Sequence, residues 1–224
     1  MEIRFINIIF KQILFGKMDP DYRKYDVTRF FDFTEEDEKL ITEVYDQLSE
    51  SYHVSVVDIK ESPYEQFSSH DMYPLFIPQI CYLVKDRNKD NSFYLFIVSK
   101  VGMTSRGGLL GRKYDTLQLW GLKNLDENFG YISLNNKKLM DKVAGIFSSF
   151  NVNFTDREFK DFYVVGNDQF KIMNFLNPKR KETIKNFPNE DFKLEVRNTI
   201  LSFGIPDILT IENAEIISKF LEEI

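Results

Sequence analysis

The chain is poor in the residues on which most catalytic and metal sites depend. Its 224 residues include one cysteine, Cys81, and two histidines, His53 and His70. A single cysteine excludes an intrachain disulfide, and two histidines are few for a metal site. The sequence also lacks the spacings of a Walker A loop, a dinucleotide-binding glycine fingerprint, a nucleophile elbow and a His-Glu-x-x-His motif. We therefore expect no metal, no cofactor and no enzymatic activity.

The chain has neither an excess of positive charge nor a long uninterrupted apolar segment. The formal net charge is −6, whereas nucleic-acid-binding domains usually carry a basic face, so we expect no nucleic-acid partner. The apolar stretch at 3–15 is interrupted by Arg4, Lys11 and Gln12. It is too short and too polar to span a bilayer, and it lacks the continuous apolar core and cleavage site of a signal peptide. We therefore expect a cytoplasmic protein.

The first seventeen residues form an amphipathic segment with two interpretations. One is a first helix that packs on the core. The other is a helix that lies on a membrane surface or a partner, with Arg4, Lys11 and Lys17 facing lipid headgroups. The second interpretation adds peripheral membrane contact through residues 1–17 to the expected location, and the sequence leaves both open.

Aromatic residues are abundant while alanine is nearly missing. The chain has 22 Phe and 11 Tyr, and Ala144 and Ala214 are its two alanines. Hydrophobic residues make up 43% and charged residues 29%, which is typical of a globular protein. Because each aromatic ring buries a large area, we interpret these residues as a bulky core. The alternative is an exposed aromatic binding surface.

The apolar spacing predicts an α+β fold with a mainly antiparallel sheet packed with several helices. The clearest element is a helix over 35–51, with Thr34 as N-cap and Asp37 completing a capping box. No linker or repeat interrupts the chain, so we predict one domain over 1–224, with subdomains 20–125 and 130–224 as the alternative. The other predicted elements are strands at 53–59, 76–85, 92–101, 114–122, 131–132, 162–165, 192–197 and 199–204, and helices at 136–150, 168–176, 179–186 and from 212.

A glycine-rich basic loop at 102–113 is the main candidate for ligand binding. Main-chain N–H groups and cations together would cradle an anionic small molecule. A strand rather than a helix follows the loop, so no helix dipole would assist. The alternative is a plain connection between two antiparallel strands. The candidate ligand-binding residues are Arg106, Gly107, Gly108, Gly111, Arg112 and Lys113.

Three further features each have a functional interpretation and a structural one. Cys81 lies in an apolar strand and is expected to be a small buried hydrophobe, although a nucleophilic thiol would need His70 and Asp71 beside it. The basic run at 178–181 stands at a predicted helix start, where cations oppose the helix dipole, and an anionic contact there is the alternative to a plain helix start. Trp120 is expected to face the side of its strand opposite the leucines, either exposed for binding or covered by a helix.

The segment 154–178 carries a family resemblance. Its pattern of Phe159-x-x-Phe162-x-Val164, then Asn167-Asp168, then Leu176-x-Pro178 resembles the C-terminal half of a bacterial domain family of unknown function. Members of that family often follow a membrane segment, and this chain shows none in its sequence. The resemblance implies a strand–turn–helix unit, covers about 75–224 and brings no catalytic residues.

Together these features predict a non-catalytic accessory or protein-interaction module with an unknown protein partner. The first alternative is an enzyme or binding protein that holds an anionic small molecule in the 102–113 loop. The second is peripheral membrane association through residues 1–17.

Overall fold

The computed structural model describes residues 33–68, 76–88, 91–100, 117–136, 152–154 and 157–224. Across these ranges the fold is α+β, with nine strands in one antiparallel sheet and helices packed on it. The strands are β1 (Tyr52–Val57), β2 (Phe76–Asp86), β3 (Ser92–Lys100), β4 (Leu117–Asn124), β5 (Tyr131–Asn136), β6 (Val152–Phe154), β7 (Phe162–Gly166), β8 (Lys193–Arg197) and β9 (Ile200–Gly204). The α-helices are α1 (Glu35–Ser51), α2 (Tyr64–Ser68), α3 (Gln169–Phe175), α4 (Pro178–Lys185) and α5 (Ile211–Glu223), with short 3₁₀ turns at Ile59–Glu61 and Arg157–Phe159.

The strand order is β1-β2-β3-β4-β9-β8-β5-β7-β6, so strands from both predicted subdomains share one sheet. Strands β1 to β4 follow one another as a meander, and β9 then pairs with β4. Strand β2 lies between β1 and β3, and its register with β3 shifts between Pro78 and Ile80, so the proline occupies an irregularity. The predicted helix at 136–150 falls beyond the described residues, except that Asn136 ends β5.

Helix α1 has the bounds and the cap that the sequence predicts. The Thr34 hydroxyl accepts a hydrogen bond from the Asp37 N–H at 3.1 Å, and the Asp37 carboxylate accepts one from the Thr34 N–H at 3.2 Å. The helix also covers part of the edge strand β1, because the Tyr45 hydroxyl donates to the Val54 carbonyl at 2.9 Å. A main-chain group bonded in this way is not available to another strand.

The main core lies on the face of the sheet that α1 and α5 cover. Helix α5 contacts β3, β4, β9 and α1. Rings fill the space beneath it: Phe203 of β9 stacks on Phe220 of α5 with centroids 3.7 Å apart, and Phe187 meets both edge-on. Within the described residues, many of the aromatic side chains therefore serve as a bulky core, as the composition predicts.

Helix α5 approaches the sheet closely because β4 offers a glycine beneath it. A Cβ atom at Gly121 would overlap Cδ1 of Leu221. Leu221 is fully buried. The glycine therefore sets the distance between the helix and the middle of the sheet.

The last turn of α5 is held by side chains from four other parts of the fold. Orphan carbonyls at a helix end need donors, and cations there also complement the helix dipole. The contacts are Lys123 Nζ to the Leu221 carbonyl at 2.7 Å, Asn91 Nδ2 to the Glu222 carbonyl at 2.8 Å, Arg180 Nε to the Ile224 carbonyl at 3.2 Å, and the Tyr52 hydroxyl to the Glu222 carboxylate at 3.0 Å.

Replacing Gly121 with alanine tests the close approach of α5. A methyl group in a strand would normally be neutral or stabilising, but here it meets Leu221, so we expect Gly121→Ala to lower the free energy of unfolding by about 1–3 kcal/mol. Urea denaturation measures this loss. In the double variant Gly121→Ala/Leu221→Ala the methyl enters vacated space, so the combined loss should be smaller than the sum of the two single losses. Additive losses would contradict the overlap.

The amine of Lys123 gives the fold a measurable pH dependence. Burial lowers its pKa from 10.5 to about 8, and repulsion from Lys179 and Arg180 adds to the effect. Between these two pH values the unfolded chain binds more protons than the folded one, so this group makes stability rise with pH.

Comparison with Lys123→Met isolates that contribution. Burial raises the pKa of Cys81 and of Tyr52, so these two groups make stability fall at high pH. Because both groups are present in both proteins, their contribution cancels in the comparison. Between pH 7.5 and 9.5 we expect the free energy of unfolding of the unchanged protein, relative to that of the variant, to rise by about 1 kcal/mol. A difference of one whole proton between the unfolded and folded states would change stability by ~1.4 kcal/mol per pH unit. The expected change is smaller, because the folded pKa lies within this pH range and because solvent screens a partly exposed lysine. A difference that stays flat with pH would refute the shifted amine.

Candidate interaction surface

All six ligand-binding residues predicted from sequence lie outside the described part of the chain. This applies to the loop at 102–113, with Arg106, Gly107, Gly108, Gly111, Arg112 and Lys113, and to the amphipathic segment at 1–17. His70 and Asp71 also fall outside it. Anion binding by the loop and membrane contact by the first residues therefore stay predictions.

Cys81 is a buried packing residue, as its apolar strand predicts. Its exposed fraction is 1%, and it belongs to a smaller core cluster on the second face of the sheet with Phe96 and Leu122. Burial raises the pKa of the thiol, against the weaker effect of a hydrogen bond with Ser62. His53 pairs across from Lys85 on the same two strands, four residues along β2 from Cys81, which is roughly 13 Å. These two residues form no nucleophile–base pair.

Trp120 also packs on the second face, on the side opposite Leu117 and Leu119 as predicted. A Cβ atom at Gly204 of the neighbouring strand would lie 2.6 Å from the indole ring, so the ring lies directly over that glycine. Its Nε1 donates to the Gln118 side chain at 3.4 Å. The half-buried indole is therefore part of the packing on the second face of the sheet.

Helix α3 presents large apolar side chains to solvent. Asp168 caps it by accepting hydrogen bonds from the N–H groups of Phe170 at 2.8 Å and Lys171 at 3.2 Å. Ile172 and Phe175 point inward and are fully buried. On the outer side, Phe170 is 79% exposed and Met173 is 53% exposed. Because they are three residues apart, the two outer side chains are neighbours on the helix surface.

Helix α4 follows directly, and the cations of the predicted basic run at 178–181 differ in their exposure. Asn177 caps the helix and Pro178 occupies its first turn. Arg180 turns inward, with its guanidinium carbon 5.0 Å from the centre of the Phe175 ring and 5.1 Å from that of Phe129. Burial lowers the pKa of Arg180, and Glu127 and Asp126 oppose the shift. An arginine remains charged through such a shift. Its contacts with the two rings hold α4 against its neighbours.

Lysines of α4 border a shallow groove that is open to solvent. Lys179 and Lys185 are exposed, and Lys185 Nζ also lies 6.0 Å from the centre of the Phe159 ring. The groove has a volume of about 260 Å³ and is lined by Pro178, Lys181, Glu182, Lys185 and Asn186.

We call the outer side of these two helices the α3–α4 surface. It consists of Phe170, Lys171, Met173, Lys179, Lys181, Glu182 and Lys185. Over 168–185 the sequence carries five cations and two carboxylates, a net charge of +3 in a chain whose total is −6. An exposed apolar pair and a local excess of positive charge are therefore carried by two helices that follow one another in the chain.

The exposed pair was not identified from the sequence, although a signal exists there. In the α3 segment, Gln169–Phe175, apolar residues occur on both sides of the helix. A helix that is apolar all round is either fully buried or carries a surface for a partner. Which side turns inward is decided by where the helix docks, and that depends on residues distant in sequence.

Two negative findings apply to the described ranges. There, no helix combines the length and apolar character needed to cross a bilayer. Nor do three or more histidine, cysteine or acidic side chains in those ranges gather closely enough to hold a metal ion.

Comparison with known proteins gives a shared fold. No protein-family model matches the chain, and no curated protein sequence matches it. Its structure is similar to the crystal structure of the mycobacterial trehalose monomycolate transport factor A, TtfA, with a TM-score of 0.52 and 5% sequence identity. The similarity covers 80% of this chain and 89% of that one. The kinship suggested by the pattern at 154–178 stays a prediction.

The burial of Cys81 predicts a thiol that reacts slowly with a disulfide reagent. We expect its labelling by Ellman's reagent in native buffer to be at least ~100-fold slower than in 8 M urea, because the thiolate is suppressed and access is blocked. The matched control is Ser55→Cys in a Cys81→Ala background, which places a thiol at an exposed position of β1. Native labelling of Cys81 as fast as that of the control would contradict the burial.

Proposed function

We propose that this protein is a non-catalytic accessory module that binds a protein partner through the α3–α4 surface. The observation that carries the proposal is the adjacent exposure of Phe170, at 79%, and Met173, at 53%. Scattered exposed apolar residues need no explanation, but neighbouring large ones on a single helix are typical of an interaction site. Phenylalanine and methionine are also enriched in the centres of protein interfaces.

The anchoring of α3 supports this function. Phe175 packs edge-on against Phe129 with ring centroids 5.4 Å apart, and Arg180 donates to the Phe175 carbonyl at 3.4 Å. Asn167, just before the helix, bonds through its side chain to the N–H of Tyr131 at 3.2 Å. A helix held in this way loses little conformational freedom on binding, so more of the contact energy remains for affinity.

The shared fold also supports an accessory role. The similar structure is described as a transport factor, and that description names a process rather than a chemical step. We extend to this chain only an accessory role.

Isolation of a stoichiometric complex tests the proposal. The full chain, tagged and expressed in its native cells, should recover one protein near a 1:1 ratio by quantitative mass spectrometry. The two proteins should then coelute in size-exclusion chromatography with light scattering. The control is the tag on an unrelated acidic domain of similar size. A monodisperse monomer that recovers no partner above this control would overturn the proposed function.

A further inference from the structure

The charge of the α3–α4 surface indicates the chemistry of the partner. Building on the proposed function, we propose that this surface binds a short acidic protein segment that carries at least one large apolar side chain. Two features of the surface lead to this pairing, and they are independent of each other.

The first feature is the apolar pair itself. Phe170 and Met173 offer an aromatic ring and a flexible thioether side by side on the outer side of α3. Methionine adapts its shape to different apolar neighbours, and aromatic residues supply much of the binding energy at interfaces. The complementary partner therefore needs a leucine, methionine or aromatic side chain to cover them.

The second feature is the positive charge carried by the two helices of this surface. Lys171 follows Phe170 directly, while Lys179 and Lys185 are exposed along α4. The chain as a whole is negative, with a net charge of −6. An acidic segment is therefore repelled by much of the protein and attracted to this surface, which directs it to one place and speeds its association.

The groove along α4 argues for a protein segment rather than a continuous anionic surface. Glu182 lies among the groove-lining residues, beside Lys181 and Lys185. A carboxylate at that position repels a phosphate backbone or an anionic bilayer, both of which carry negative charge throughout. A peptide places its acidic groups at intervals and can set an uncharged residue or a donor opposite the glutamate.

Selection from a random peptide library tests the proposed chemistry directly. The immobilised full chain is offered a phage-displayed library of 12-residue peptides. We expect the enriched sequences to combine Asp or Glu with large apolar residues. Enrichment of basic or uncharged sequences would overturn the inference, and so would the absence of any enrichment.

Variants of the surface then locate the binding. For the best enriched peptide, labelled with fluorescein, we expect Phe170→Ser and the pair Lys179→Glu/Lys185→Glu each to weaken affinity by ~10-fold or more in fluorescence anisotropy. The matched controls are Ile208→Ser, at an apolar residue that is 52% exposed elsewhere, and Lys219→Glu on the exposed side of α5. Circular dichroism confirms that every variant is folded. Equal losses from controls and surface variants would overturn the assignment.

Two further measurements separate this inference from its alternatives and from the proposed function. Vesicles of phosphatidylcholine with 30% phosphatidylglycerol should not bind the chain through this surface. Binding lost in the Lys179→Glu/Lys185→Glu variant would show a membrane site instead. If the natural partner recovered by the full chain binds the surface variants as tightly as the unchanged protein, the accessory function stands and the placement of its site is wrong.

Discussion

The contact between α5 and β4 at Gly121 is the constraint on which the rest of the fold depends. With no Cβ at this position, Leu221 rests directly against the middle of the sheet. Helix α5 can then reach β3, β9 and α1 at once, and Phe220 can stack on Phe203. A larger residue would lift the helix and open space beneath the aromatic cluster, where packing is dense and voids are costly. The nearly alanine-free core is thus held together around one position with no side chain.

That constraint extends to the surface of the protein through Arg180. Its guanidinium bonds to the carbonyl of Ile224 beyond α5 and lies over the ring of Phe175 in α3. One side chain therefore connects the core helix, α4 and the short helix that exposes Phe170. A seven-residue helix has little stability of its own. The exposed apolar pair keeps its position because Arg180 and the core hold Phe175 on the buried side of α3.

Local signals in the sequence predict local structure well, and long-range structure poorly. Helix α1 has the predicted bounds because its cap and its apolar spacing are written within the segment 34–51. The pairing of β4 with β9 has no such signal, since strands β5 to β8 and helices α3 and α4 lie between them in the chain. The same limit explains the site. The run at 178–181 shows its positive charge in sequence, but only the packed structure separates the half-buried, inward-turned Arg180 from the exposed Lys179.

The central position of β9 has a consequence for how the protein is made. Strand β4 is synthesised together with its partner β3, but its other neighbour comes only after the whole of residues 125–199. Until then the growing chain presents β4 as an unpaired edge bearing Leu117, Leu119 and Leu122, which are all buried in the finished protein. Open apolar edges of this kind pair with other chains. Nascent chains of this protein are therefore expected to be prone to association through β4 until β9 and α5 have been synthesised.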